Sequence, residues 1–399
     1  MIWALRIAFC TPGSIEFSDY GSGNLLGTEH QVWGLARALA RRGHEVFIFR
    51  RWHQGTSLQE VLENVNVVNI VSPEFRDTRL QGFMTKSRFS ASIRKCLRAI
   101  NPDVTVLTEL LTALPLISSR GAKVFVAHNP PSGLGYSRNF VREAAKRLLE
   151  HKVFKNCAFT VALNQSVLEG LAKRGYETVL IPNAVDISKY PLGEVEESYV
   201  LSAGRFVRTK GIHVLLQAYS EIDSTLRQQF SLMIIGYGPE KKHLRRKVYD
   251  LGLEDRVAFV EWQPNPALIG KIAKCAVFVI PSLFEVFPVT LIEAMACGKA
   301  VVSSDIPGPS DIIEHAQNGM LFEPGNVKAL KGLIETTLKD RNLRLRLGVN
   351  ARKRVERGFT FEEIAPRYER ILLIAGRRRD GGPQTEPSNH REHALQPER

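Results

Sequence analysis

Pro281–Pro307, PSLFEVFPVTLIEAMACGKAVVSSDIP, divides into a strand end, an acidic loop, a helix and the next strand. AVFVIPS (Ala276–Ser282) is β-branched and aromatic, the pattern of a strand buried on both faces of a parallel sheet. Pro288 fits the first position of a helix, where no amide donor is needed. VTLIEAMAC then runs to Gly298, a C-capping residue, and AVVSS supplies the following strand. Open α/β sheets bind ligands at such places, where a loop at the carboxyl end of a parallel strand feeds a helix N-terminus. The amides of Val289, Thr290 and Leu291 are expected to point outward there and to suit a phosphate.

Glu285 lies in the loop and Glu293 one turn inside the helix. Beside a diphosphate both carboxylates are unfavourable unless each meets a partner. Paired sugar hydroxyls are such partners, because an ionised carboxylate only accepts hydrogen bonds. The plainer reading makes Glu285 a solvated loop residue and Glu293 an exposed helix residue. The stretch S-L-F-E-V-F-P-V-T-L-I-E-A-M-A-C-G resembles the E-x7-E signature of retaining, nucleotide-sugar-dependent glycosyltransferases of family 4, flanking residues included. Two positions depart from it: Val286 stands where glycine is common, and Pro288 removes one backbone donor. The resemblance places Glu285, Phe287, Val289, Thr290, Leu291 and Glu293 at the donor, with Glu293 on the ribose and Glu285 on the transferred sugar.

Working outward, SYVLSAGRFVRTKG ends a strand at Gly204 and puts Arg205 and Lys210 just beyond it. Both cations can converge on the same crevice, the guanidinium in a bidentate grip and the ammonium as a point charge. A solvated basic loop is the alternative; G-R-x-x-x-x-K-G resembles the family's diphosphate-binding pair. The G-x-G-P turn at Gly236 resembles the loop beside the nucleotide, and the backbone at Glu261 and Trp262 falls where family members meet the base. In the first half, LRIAFCTPGS, a glycine-bearing loop, a helix ending at Gly43 and HEVFIF form a βαβ unit. Gly27 and Thr28 match the family's donor-facing glycine pair in one position only. KVFVAHNPPSG carries His128 at a strand end, and resemblance to the family's T-x-H segment implies donor positioning or catalysis there.

Strands alternate with helices through both halves, which predicts an α/β chain of two Rossmann-like parallel domains facing across a deep cleft. The resemblance implies the GT-B architecture. Expected boundaries are an acceptor-side domain at 1–185, a donor-binding domain at 196–357, a helix at 358–375 crossing back to the first domain, and a disordered tail at 376–399. Five scattered cysteines, Cys10, Cys96, Cys157, Cys275 and Cys297, form no metal or disulfide pattern and suit a reducing, cytoplasmic setting. MIWALRIAFC reads as a first strand and not a leader, and no apolar run approaches the roughly 18 residues of a membrane span.

The formal charge of +13 concentrates in two segments, 76–98 and 138–155, where cations interleave with apolar residues. Both suit an anionic membrane surface or an anionic acceptor, and both also suit a solvated helix face. No nucleic-acid motif accompanies them. The expectation is a retaining, metal-independent transfer from a UDP- or GDP-linked sugar to a hydroxyl acceptor. Catalysis falls to His128, Glu285, Arg205 and Lys210, with no cofactor and no metal ligand. The rivals are a nucleotide-sugar-binding scaffold and a sugar-nucleotide epimerase on the same fold.

Overall fold

The computed structural model describes residues 4–11, 27–52, 59–71, 79–133, 140–192, 196–263 and 265–379. Its first sheet has eight strands: β1 (Arg6–Cys10), β2 (Glu45–Trp52), β3 (Gln59–Leu62), β4 (Val65–Val71), β5 (Val104–Leu107), β6 (Ala122–Val126), β7 (Phe159–Ala162) and β8 (Thr178–Leu180). They lie in the order β3-β4-β2-β1-β5-β6-β7-β8. All neighbours are parallel except β3 and β4, which pair antiparallel at one edge. That hairpin was not foreseen. Its turn is Glu63-Asn64, both at positive φ (47° and 67°), the mirror-image turn that suits the strand twist.

The second sheet contains β9 (Tyr199–Ala203), β10 (Ser231–Ile235), β11 (Val257–Val260), β12 (Val277–Ile280), β13 (Ala300–Ser304) and β14 (Met320–Phe322). It is parallel, in the order β11-β10-β9-β12-β13-β14. The strand order reverses between β9 and β12, so the loops after these two strands diverge and leave a crevice at their carboxyl ends. β12 and its neighbour β13 are buried along their whole length, as apolar strands covered by helices on both faces must be.

The return crossing joins the halves in three ways. The helix Phe361–Arg379 leaves the second domain and packs on the first-domain helix Gly27–Arg41. It runs past the expected end at 375. Gly34 makes room for it, since a Cβ there would lie 2.0 Å from the Phe361 ring. Further along, buried Glu369 accepts from His44 Nε2 at 2.9 Å and from Arg42 Nε at 3.0 Å. His44 Nδ1 accepts from the Leu5 amide, so Nε2 carries the proton that Glu369 receives. Finally, Val185 and Thr360 form an isolated parallel bridge where the chain crosses between domains twice.

The basic segments fall on helices Arg79–Ile100 and Phe140–Phe154. Arg76 and the side chains of Arg79, Lys86 and Arg88 lie outside the described residues, as do Arg138 and the chain from 380 onward. No helix among the described residues is long and apolar enough to cross a membrane.

Candidate active site

Two loops at the carboxyl edge of the second sheet build the charged part of the site. After β9 the chain passes Arg205, makes a short helical turn at Arg208–Lys210, and turns at Gly211 with φ 64°. The Leu283 and Phe284 amides of the loop after β12 donate to Thr209 O at 2.7 and 3.3 Å, stitching the two loops together. The approach is so close that a Cβ on Gly211 would lie 1.8 Å from Pro281 O, and positive φ disfavours any other residue there. Lys210 is thereby brought onto Glu285: its ammonium pairs with Oε1, which also accepts from Ser282 Oγ at 2.9 Å. The two residues expected to act on different parts of a donor form one cluster. Glu285 Oε2 has no partner among the described residues, and Arg205 is exposed with no ion pair among them.

The helix after the acidic loop is Val289–Ala296, with Pro288 as N-cap (φ −80°, ψ 97°) and not its first residue. The Leu291 amide donates to Pro288 O at 3.0 Å, so the expected trio of outward amides is corrected to Val289 and Thr290. No acidic residue occupies the first turn, which leaves the positive helix end unopposed.

Glu293 is buried, not exposed, and accepts from Tyr190 Oη at 3.1 Å. Burial pushes its carboxyl up to about 7, against a smaller opposite effect of the Tyr190 bond. Glu293 lines a cleft of about 510 Å³ with Val289, Pro266, the 184–191 crossing and the face of helix Gly27–Arg41 bearing His30 and Arg37. Tyr190 had no signal in the sequence, yet it is fixed at both ends: Arg352 Nη1 donates to its carbonyl at 2.7 Å. His30 was likewise unforeseen; burial, then Lys189, lowers its imidazole to about 4.

The remaining expected residues divide. Gly236 sits where a Cβ would be 1.9 Å from Gly204 O, which keeps the loops after β9 and β10 in contact. Trp262 meets Tyr237 edge-to-face at 6.3 Å on the same sheet edge, whereas the Glu261 side chain is exposed and paired with Lys241. Phe287 turns inward against Phe359, ring centroids 6.0 Å apart, so its side chain serves the core. Gly27 begins its helix and Thr28 is partly buried. His128 follows β6 in the first domain, beside Gln31, Asn183 and Tyr368, and makes no contact with the Lys210–Glu285 cluster. Burial lowers its imidazole to about 4, leaving a neutral ring near neutral pH.

The Glu293 shift has a measurable sign. The folded state keeps a proton between about 4.5 and 7 that the unfolded chain gives up, so stability falls as pH rises through that window. Thermal denaturation between pH 5 and 8 is expected to show this slope in the wild type and a flatter one in Glu293→Gln. Equal slopes would show that the carboxyl titrates alike in both states.

Residues 26–189 match the model for Glycosyltransferase Family 4, and residues 187–354 match that for Glycosyl transferases group 1. The lipopolysaccharide core biosynthesis glycosyltransferase LpsD of Rhizobium meliloti is 27% identical over 348 residues, 86% of this chain and 93% of LpsD. Sucrose-phosphate synthase from Thermosynechococcus elongatus superposes with a TM-score of 0.80 at 23% identity, covering 92% of this chain and 98% of that one. Anabaena HepE, in complex with UDP and glucose, gives 0.73 at 20% identity, covering 93% and 100%. With two parallel-sheet domains, a charged crevice at the β9/β12 reversal and family matches from 26 to 354, the chain belongs to the family 4 glycosyltransferases of GT-B fold.

Proposed function

We propose that the protein moves a hexose from a nucleoside diphosphate to a hydroxyl of a cell-surface polysaccharide or its lipid-linked precursor, retaining the anomeric configuration without a resident metal. The observation that carries this reading is the Lys210–Glu285–Ser282 cluster beside the open Val289–Ala296 helix end and the exposed Arg205. Cleaving the sugar–phosphate bond loads negative charge onto the diphosphate. Arg205, Lys210 and the Val289 and Thr290 amides are preorganised to receive it. Glu285 Oε1 is held by Lys210 and Ser282, which leaves Oε2 to accept from hydroxyls of the transferred sugar. Lys210 then lies between sugar carboxylate and phosphate, neutralising both. A carboxylate so engaged is poorly suited to attack carbon. The acceptor therefore enters on the face the phosphate leaves, and the phosphate takes its proton. Glu293 and the cleft it lines receive the ribose, with the Tyr237–Trp262 edge near the base.

HepE's complex with UDP and glucose makes a UDP-hexose the first donor to test, with GDP-linked sugars next. The role of LpsD in lipopolysaccharide core biosynthesis points to a polysaccharide acceptor. Helix Phe140–Phe154 supports peripheral attachment to an anionic, cytoplasm-facing membrane. Val141 and Leu148 are each 75% exposed, and Arg147 and Lys152 are exposed beside them.

Two measurements test this reading. Glu285→Gln is expected to keep nucleoside diphosphate affinity within about threefold while transfer falls by at least ~10²-fold; unchanged turnover removes Glu285 from the mechanism. Val141→Asp with Leu148→Asp is expected to abolish co-sedimentation with phosphatidylglycerol vesicles while sparing nucleotide binding. Undiminished sedimentation would place any membrane contact elsewhere.

A further inference from the structure

Val286 gives the Glu285 loop a contact outside its own domain. Asn164, just past β7 in the first domain, caps helix Gln165–Ala172: its Oδ1 accepts from the Val167 amide at 2.7 Å. Its Nδ2 donates to Val286 O at 2.6 Å. The side chain is only 2% exposed, so both ends of one amide are committed, one to each domain. The neighbouring Gln165 amide donates to Asp311 Oδ2 at 2.9 Å, a second tie across the same seam. Gly308 (φ 97°) also packs against this carbonyl, where a Cβ would lie 2.8 Å from Val286 O.

The Val286 carbonyl is thus fixed in direction by the first domain. In a trans peptide the carbonyl and the following amide point opposite ways, so the Phe287 N–H is fixed as well. It has no acceptor among the described residues. Val286 is not at positive φ, so the glycine common at this position is not required by the backbone here. Asparagine suits position 164 because it can accept from an amide and donate to a carbonyl at once. Aspartate caps a helix as well but cannot donate when ionised, and serine is too short to span both partners.

We propose that Asn164 is a positioning residue for Glu285. The first domain holds the donor-sugar carboxylate in register through this one side chain, so Glu285 is correctly placed only while the domains are closed on each other. The inference rests on the reading of Glu285 as the ligand of the transferred sugar. It makes domain closure a requirement of donor geometry as well as of acceptor delivery, because small displacements of a positioning group cost rate steeply.

Asn164→Ser and Asn164→Asp both keep a helix cap and lose the donor to Val286. Each is made alone and with Glu285→Gln. The readouts are diphosphate release from whichever of UDP-, GDP- and ADP-glucose or -mannose the wild type turns over fastest, the Kd of that diphosphate, and Tm. Expected are a kcat lower by ~10- to 100-fold, a diphosphate Kd changed less than about twofold, and Tm within a few degrees. Little further loss is expected in the Glu285→Gln background, since both changes remove one shared effect. Full kcat in either folded single variant overturns the inference alone. So does a loss as large beside Glu285→Gln as in the wild type. Full activity of Glu285→Gln by itself, or no diphosphate released from any donor by the wild type, overturns the functional reading and this inference with it.

Discussion

The site depends on the Lys210–Glu285 ion pair. A carboxylate that is to bind sugar hydroxyls must sit beside a diphosphate, and like charges at that distance repel unless a cation lies between them. Lys210 is that cation, and its placement is a backbone matter. The Thr209 carbonyl takes two amides of the Glu285 loop, and Gly211 lets the chain pass against Pro281 O. Arg205, exposed at the mouth of the same loop, remains available to phosphate oxygens. Under the proposed function, Lys210 serves Glu285 and the diphosphate together, and Arg205 serves the diphosphate alone.

Around this pair, the two domains share the work. The second domain supplies the charged crevice through the reversal of strand order between β9 and β12. The first domain supplies one wall of the cleft that Glu293 lines and, through Asn164, a grip on the acidic loop. The crossings between them are tied to the site as well. Tyr190 links Glu293 on one side to Arg352 on the other, so this buried carboxyl is bonded to the interdomain crossing itself. The return helix is held to the first domain by Glu369, His44 and Arg42.

Much of this was legible in the chain. AVFVIPS and AVVSS announced buried parallel strands because both faces are covered by helices, and the E-x7-E spacing located both carboxylates. The basic loop after Gly204 was legible through G-R-x-x-x-x-K-G, which resembles the family's diphosphate-binding pair; its place at a strand end alone left a solvated loop equally open. What escaped were contacts between residues far apart in sequence. Nothing near Tyr190 or Asn164 signals a partner at Glu293 or Val286, since those bonds exist only once the domains meet. The N-terminal edge hairpin was missed because its turn, Glu63-Asn64, lacks the glycine that usually marks one. The inward turn of the Phe287 side chain was not legible because a motif gives position along the chain, and side-chain direction is decided by packing on Phe359.

The most direct measurement is the change in thermal stability of the purified protein with UDP, GDP, ADP and TDP, each beside its monophosphate, in the wild type and in Arg205→Ala/Lys210→Ala. A ligand that binds only the folded chain raises its stability by mass action. A larger rise is expected for one diphosphate than for its monophosphate, with that excess lost in the double variant. A folded wild type indifferent to every diphosphate, or a rise that survives removal of both cations, would contradict this expectation.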